Sequence, residues 1–215
     1  MRDDVTLRPY RPSDAQALRD VCLRTAQAGG DATGLYVSDA LMPDVFATPY
    51  VEFAPDLAFV LDSASDAAPD AAGPDAGQRV QGYILGVADT ARFVAWYRAE
   101  WVPKLALAYE HVAPPRTRCE LIRHLGFTPE RMLLPELDRY PAHLHIDILP
   151  PFQRQGWGRA LMGALIAGLR ERRVPGLHLT MDAANVEARR FYDRLGFREL
   201  ESSKPEAPAL GILIT

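Results

Sequence analysis

Cysteine is scarce: the 215 residues hold two, Cys22 and Cys119. They form no C-x-x-C and have no metal-like spacing, so neither a disulfide framework nor a zinc site is indicated, and a reducing compartment is the plain expectation. No apolar run approaches the roughly 20 residues of a membrane span. The opening MRDDVTLRPY is polar and acidic where a signal peptide needs a basic start and an apolar stretch. An excess of positive charge is also missing. The 24 Lys+Arg against 28 Asp+Glu leave a net charge of -4, which argues against a nucleic-acid footprint over the whole protein. These absences predict a cytoplasmic protein without membrane or nucleic-acid partners. The length and a hydrophobic content of 48% predict one domain over 1–215.

Two nucleotide signatures are absent as well. A P-loop needs Gly-Lys-Ser/Thr, which occurs nowhere, and a dinucleotide fingerprint needs G-x-G-x-x-G, whose third glycine position is Leu161. Yet a glycine turn stands where a proline-broken segment becomes an amphipathic helix, in PPFQRQGWGRALMGALIAGLRERR. Helix N-termini carry unpaired N–H groups and about half a positive charge, so such a turn suits an anion. The helix that follows places Leu161, Met162, Leu165, Ile166 and Leu169 on one face and stops at Val174-Pro175-Gly176. The basic RERR at 170–173 reads as a solvated helix end.

Elsewhere, residues 5–9 alternate as a strand, Ser13 reads as the N-cap of a helix, and 57–62 and 80–89 read as buried strands. Between these strands, 63–78 is built of Ala, Asp, Pro, Gly and Ser and is expected to be a flexible acidic loop. Phe93, Tyr97 and Trp101 recur every four residues on one helical face until Pro103 interrupts it. A further short helix is expected over 117–127, strands over 143–149 and 176–182, and a helix capped by Asn185 and stopped by Gly196. Closing strands follow. Strands alternate with helices at the C-terminal end, while the N-terminal strands look hairpin-paired. The fold class is therefore α/β with a mixed central sheet flanked by helices and a helical insert at about 91–140.

Gln153-Arg154-Gln155-Gly156-Trp157-Gly158 resembles the Q/R-x-x-G-x-G/A coenzyme A motif of the GNAT acetyltransferase superfamily, with Ile148 and Pro150 also in register. ANVEARRFYDRLGF (184–197) resembles that family's N-x-x-A-x-x-x-Y-x-x-x-G-F segment, through Asn185, Ala188, Tyr192, Gly196 and Phe197. The resemblance implies a GNAT fold and an acetyl-CoA cofactor. It implies that the amides of about Gln155, Gly156, Gly158, Arg159 and Ala160 hold the pyrophosphate, with Arg154 adding charge. Backbone groups near Ile148 and Leu149 would take the pantetheine arm and acetyl carbonyl, and Asn185 would contact the arm. Trp157 is bulky between two motif glycines; packing beneath the cofactor or beside its adenine would accommodate it. The middle of the chain further resembles the acetyltransferase-like C-terminal domain of eukaryotic O-GlcNAc hydrolases and its stand-alone bacterial counterparts. That likeness implies that Asp89, Trp101 and Asp147 face a substrate groove.

Acetyl transfer to an amine needs a neutral amine and a protonated leaving thiolate, although the reference pKa values are about 10.4 and 8.5. The resemblance puts Tyr192 at the general-acid position beside the sulfur, where it would also contact the cofactor. Strand alternation sets His143, His145 and Asp147 on one face, with Asp147 as base or amine anchor, Asp89 as its partner from the neighbouring strand, and His145 as an alternative base or substrate contact. That face also looks metal-capable, but one strand supplying every ligand makes a metal a poor reading. The expected activity is direct acetyl transfer from acetyl-CoA to an amine, of a cationic peptide or a small molecule, by a monomer or homodimer. Two competitors stay open: an acetyl-CoA-binding pseudoenzyme or partner-recognition module, and a binder of another phosphate ligand.

Overall fold

The computed structural model describes residues 5–63 and 79–214. Among the described residues seven strands form one sheet: β1 (Val5–Pro9), β2 (Ala58–Ser63), β3 (Val80–Val87), β4 (Ala142–Ile148), β5 (Gly176–Thr180), β6 (Arg198–Glu199) and β7 (Ala209–Leu213). Their spatial order is β1-β2-β3-β4-β5-β7-β6. Only β4 and β5 run parallel, so the sheet is mixed, as expected for this fold class. The acidic loop expected at 63–78 lies outside the described residues beyond Ser63, which closes β2.

Eight α-helices among the described residues flank the sheet: α1 (Ala15–Thr25), α2 (Leu41–Phe46), α3 (Thr48–Phe53), α4 (Thr90–Trp96), α5 (Val102–Ala108), α6 (Arg118–Phe127), α7 (Trp157–Glu171) and α8 (Val186–Leu195). Strand alternation sorts the two layers. His143 and His145 of β4 pack against Tyr50 of α3, and Asp147 bonds to Tyr83 of β3. Leu144, Ile146 and Ile148 point to the other face, which α7 covers. There Trp157, Leu161, Met162, Leu165 and Leu169 are buried, and Ile166 is half-buried at the edge of the same stripe. Five such side chains contribute on the order of 10 kcal/mol, an upper figure because the unfolded chain already hides part of this surface.

Two local expectations are corrected, and two short helices were not foreseen. Ser13 is not the cap of the first helix. Asp14, in a short 3-10 turn over Pro12–Asp14, accepts from the Arg11 amide at 2.8 Å, and α1 begins at Ala15. Pro103 does not end the aromatic helix either. A π-turn over Tyr97–Trp101 joins α4 to α5, with Pro103 in the first turn of α5 where a missing N–H costs least. Phe93, Tyr97 and Trp101 are still all buried. The short helices α2 and α3 escaped the periodicity reading, because each of their six-residue spans is under two turns.

Candidate functional site

The parallel pair in the middle of the sheet is where the site forms. β4 and β5 pair only at Ala142 with Leu177 and at His143 with His178, although β4 continues to Ile148 and β5 to Thr180. Beyond His143 the two strands leave each other's edges unpaired. On its other edge, β4 stays laddered to β3 as far as Ile148 opposite Gly82, and the Leu149 amide extends that ladder to the Gln81 carbonyl at 2.9 Å. Successive residues of a strand direct their main-chain groups to opposite sides. Leu149 therefore turns toward β3, whereas Ile148 and Ile146 direct theirs into the opening.

Of the two residues expected to meet the pantetheine arm and acetyl carbonyl, Leu149 has its N–H already used by the Gln81 carbonyl, which leaves Ile148 facing the opening. The Ile148 carbonyl accepts from the Gln153 side-chain amide at 2.8 Å, which ties the start of the glycine turn to the strand. Gln155 adds a second tie, donating from Nε2 to the Pro151 carbonyl at 2.7 Å.

Between these ties the turn is shaped for an anion. Gly156 has φ 90°, in the left-handed region that favours glycine, and a Cβ there would meet nothing within 4 Å, so the space beside it is open. The first helical bond runs from the Ala160 amide to the Gly156 carbonyl at 3.1 Å, which leaves the amides of Trp157, Gly158 and Arg159 ahead of the ladder. Arg154 and Arg159 are exposed beside them. Gly158 serves a different end from Gly156. A Cβ at this position would lie 3.0 Å from the Phe191 ring, so this glycine lets α7 and α8 approach. The Trp157 side chain is only 5% exposed and belongs to the core, so the expected packing of its ring against the cofactor is not available and its amide is what it presents to the turn.

α8 brings the second motif to the opening. Asn185 caps it, accepting from the Ala188 amide at 3.0 Å, and keeps its side-chain N–H groups free for another acceptor. Gly196 ends the helix in the left-handed region. Tyr192 is buried, and none of the described residues hydrogen-bonds its hydroxyl. Burial, reinforced by the charge of Asp147, pushes its phenol above the ordinary range, so it holds its proton at neutral pH.

Asp147 is half-buried and accepts from the Tyr83 hydroxyl at 2.5 Å. Burial pushes its carboxyl up, against the opposing pull of the Tyr83 hydrogen bond and of the nearby Thr25 hydroxyl. Asp89 is not its neighbour. The antiparallel register sets Tyr83 opposite Asp147, and Asp89 lies six residues further along the chain, roughly 20 Å away at about 3.3 Å per residue. There it is exposed and caps α4, accepting from the Arg92 amide at 2.9 Å.

Trp101 is likewise remote from Asp147 in its contacts. It is 5% exposed, its indole N–H donates to the Asp44 carbonyl at 2.8 Å, and the Lys104 ammonium lies 4.8 Å from its ring centre. The substrate groove expected to join Asp89, Trp101 and Asp147 is therefore not assembled by these side chains.

The histidines are bound into the scaffold. Thr90 donates to the Pro141 carbonyl at 2.7 Å and so receives the proton of His143 Nδ1 at 2.8 Å, which leaves His143 Nε2 to accept from the Tyr50 hydroxyl at 2.8 Å. His145 packs edge-on against Phe46 and Tyr50 at 5.6 and 4.9 Å. Burial, with Arg131 second, pushes its imidazole down to about 3, so it is neutral and a weak base. This overturns its expected advantage over Asp147 near neutral pH. A cavity of about 30 Å³, room for water, lies between His143 and His145 on one strand and His178 and Thr180 on the other. Tyr50 and Tyr83 were the residues sequence reasoning missed. Their signal is the strand register and the α3 packing, which no motif carries.

The sequence pattern of the Acetyltransferase (GNAT) family matches residues 77–197, more than half of the chain. The chain belongs to that family. Over 99% of both chains, at 46% identity, its structure is similar to the crystal structure of SsHAT, with a TM-score of 0.87. A ribosomal protein bS18-alanine N-acetyltransferase of Escherichia coli K12 is 46% identical over 55 residues, which are 26% of this chain and 37% of that relative's length. The structure of yncA from Salmonella typhimurium with its cofactor acetyl-CoA shares 13% identity over 99% and 95% of the two chains, with a TM-score of 0.54, a likeness of fold alone. Among the described residues no helix is long and apolar enough to cross a membrane, and no group of three His, Cys, Asp or Glu is arranged to hold a metal ion.

Proposed function

We propose that this acetyltransferase moves an acetyl group from acetyl-CoA directly to an amine. The observation that carries the reading is the opening beyond the last β4–β5 pair, with Asp147 and the unpartnered Tyr192 hydroxyl beside it and the free α7 amides at the end of β4. The residues fit the cofactor: the amides of Trp157, Gly158 and Arg159 would take the pyrophosphate in the space that Gly156 leaves open, Ile148 the pantetheine arm through its main chain, and Asn185 the arm through its free N–H groups. Bound acetyl-CoA supplies the thioester.

Asp147 anchors the acceptor ammonium and removes its proton, freeing the nitrogen lone pair to form the C–N bond. As the C–S bond breaks, Tyr192 gives its proton to the departing thiolate. The acceptor is a cationic amine, on a peptide or a small molecule, and the protein works in the cytoplasm as a monomer or homodimer. The likeness to the C-terminal domain of O-GlcNAc hydrolases belongs to this proposal, supported by the helical insert from α4 to α6 between β3 and β4.

Calorimetric titration with acetyl-CoA tests the reading. The wild type should bind in the micromolar range. Gly156→Glu, which places negative charge and a strained side chain in the turn, should weaken binding on the order of a hundredfold, about 2.7 kcal/mol. Wild-type protein that takes up no acetyl-CoA would end the proposal.

A further inference from the structure

We propose that Tyr83 is a positioning residue for acetyl transfer, its buried hydroxyl holding Asp147 ionised and turned toward the acceptor amine. The inference rests on the role given to Asp147 above. Tyr83 and Asp147 are direct cross-strand partners on the same face of the β3–β4 ladder. Their O–H···O separation of 2.5 Å is that of a bond to an ionised carboxylate. Tyr83 is fully buried, so the core fixes its ring and with it the direction from which Oδ2 receives a proton. Asp147 itself is reached by solvent.

The remaining surroundings leave this bond few substitutes. Cys22 and Thr25 of α1 face Asp147 from one side and Tyr192 of α8 from another. The Thr25 hydroxyl stands within hydrogen-bonding reach, yet its proton is directed to the Val21 carbonyl at 2.7 Å. No cation acts on the carboxylate among the described residues; the groups that favour its charge are neutral donors. A half-buried carboxylate without a counter-ion is costly to keep ionised, and a hydrogen bond to the charged form is the means available.

The counter-charge that the described residues do not supply is what a protonated amine brings. In the reaction the amine proton passes to Asp147, while Tyr83 keeps its own. Burial and the neighbouring carboxylate hold the Tyr83 phenol well above its ordinary range.

The test compares wild type with Tyr83→Phe and with 3-fluorotyrosine at position 83, which keeps the hydroxyl and makes it a stronger donor. The carboxyl ¹³C resonance of Asp147, assigned by its disappearance in Asp147→Asn, is titrated in each protein. The acid limb of kcat/KM is followed with an amine acceptor, and acetyl-CoA affinity is measured by calorimetry. In Tyr83→Phe the carboxyl midpoint and the acid limb should move up together, with kcat/KM near pH 7 falling roughly tenfold and acetyl-CoA affinity kept. Fluorotyrosine should move both the other way.

An unmoved Asp147 midpoint in both variants overturns the proposal. So does a moved midpoint together with an Asp147→Asn protein of wild-type rate, because the bond would then serve no step. Failure of wild-type acetyl-CoA binding is read separately in the same calorimetry and marks failure of the transferase reading itself.

Discussion

Tyr192 and His145 show how one cause, burial, leads to opposite chemical uses. Removing water disfavours the charged form of each group, so the phenol keeps its proton while the imidazole refuses one. A donor that holds its proton until a thiolate forms is what the leaving group requires, whereas an imidazole pushed down to about 3 cannot serve as an effective base at neutral pH. Tyr192→Phe should therefore lower kcat on the order of a hundredfold. Calorimetry should find its acetyl-CoA affinity within about twofold of wild type, since the ring stays packed between Phe191 and Phe197. A kcat equal to wild type would remove the general-acid assignment.

At the scale of elements, the site depends on how closely α7 and α8 meet. Gly156 and Gly158 sit one residue apart and do different work: the first opens the turn to a ligand, and the second admits the Phe191 ring. Gly158→Ala puts a methyl 3.0 Å from that ring, so the Phe191 ring or the α8 backbone that carries it must give way. Because Asn185 and Tyr192 ride on α8, the expected result is a stability loss of roughly 1–3 kcal/mol in urea unfolding together with weaker acetyl-CoA binding. Loss of stability with unchanged affinity would show that α8 need not be held so precisely in place for the cofactor. The π-turn between α4 and α5 solves a related problem, since it carries the aromatic stripe past Pro103 without breaking the helical layer.

Across the whole molecule, His143, His145 and His178 are kept neutral between the sheet and α3, all three imidazoles pushed down with burial as the first cause. The sign of the linkage follows. In the unfolded chain a histidine takes up a proton near pH 6.5, and in the folded protein it does so only at lower pH, so the unfolded state binds more protons in between. Their contribution is fully present above about pH 6.5 and is lost as the pH falls. Each loses about 1.4 kcal/mol per unit inside its window, so three overlapping windows remove up to roughly 4 kcal/mol per unit. Asp147, whose carboxyl is pushed up, acts in the opposite sense and offsets part of this loss. Urea unfolding at pH 7.5 and 5.5 should show a clear drop in stability, and equal midpoints would contradict the neutral buried histidines.

Much of this was legible along the chain. The period of α7, the cap at Asn185, the stop at Gly196 and the spacing of Gln153, Gly156 and Gly158 are local properties: each depends on residues within a few positions, and the structure realises them where the spacing put them. The same local periodicity put Tyr192 on the buried face of α8, where it lies. What could not be read was which residues meet across the fold. Asp89 and Asp147 looked like partners because both belong near neighbouring strands, but the β3–β4 register is a tertiary choice and set Tyr83 opposite Asp147 instead. Trp101 was correctly placed on a buried helical face, yet only the packing of α2 decided that its indole N–H would bond to Asp44. Local spacing fixes what a backbone segment can become, because propensity and hydrogen bonding act over one or two turns. Register, layer packing and the charge that burial permits depend on contacts between distant segments, and these decided that Asp147 stands with a tyrosine and, among the described residues, no cation beside it.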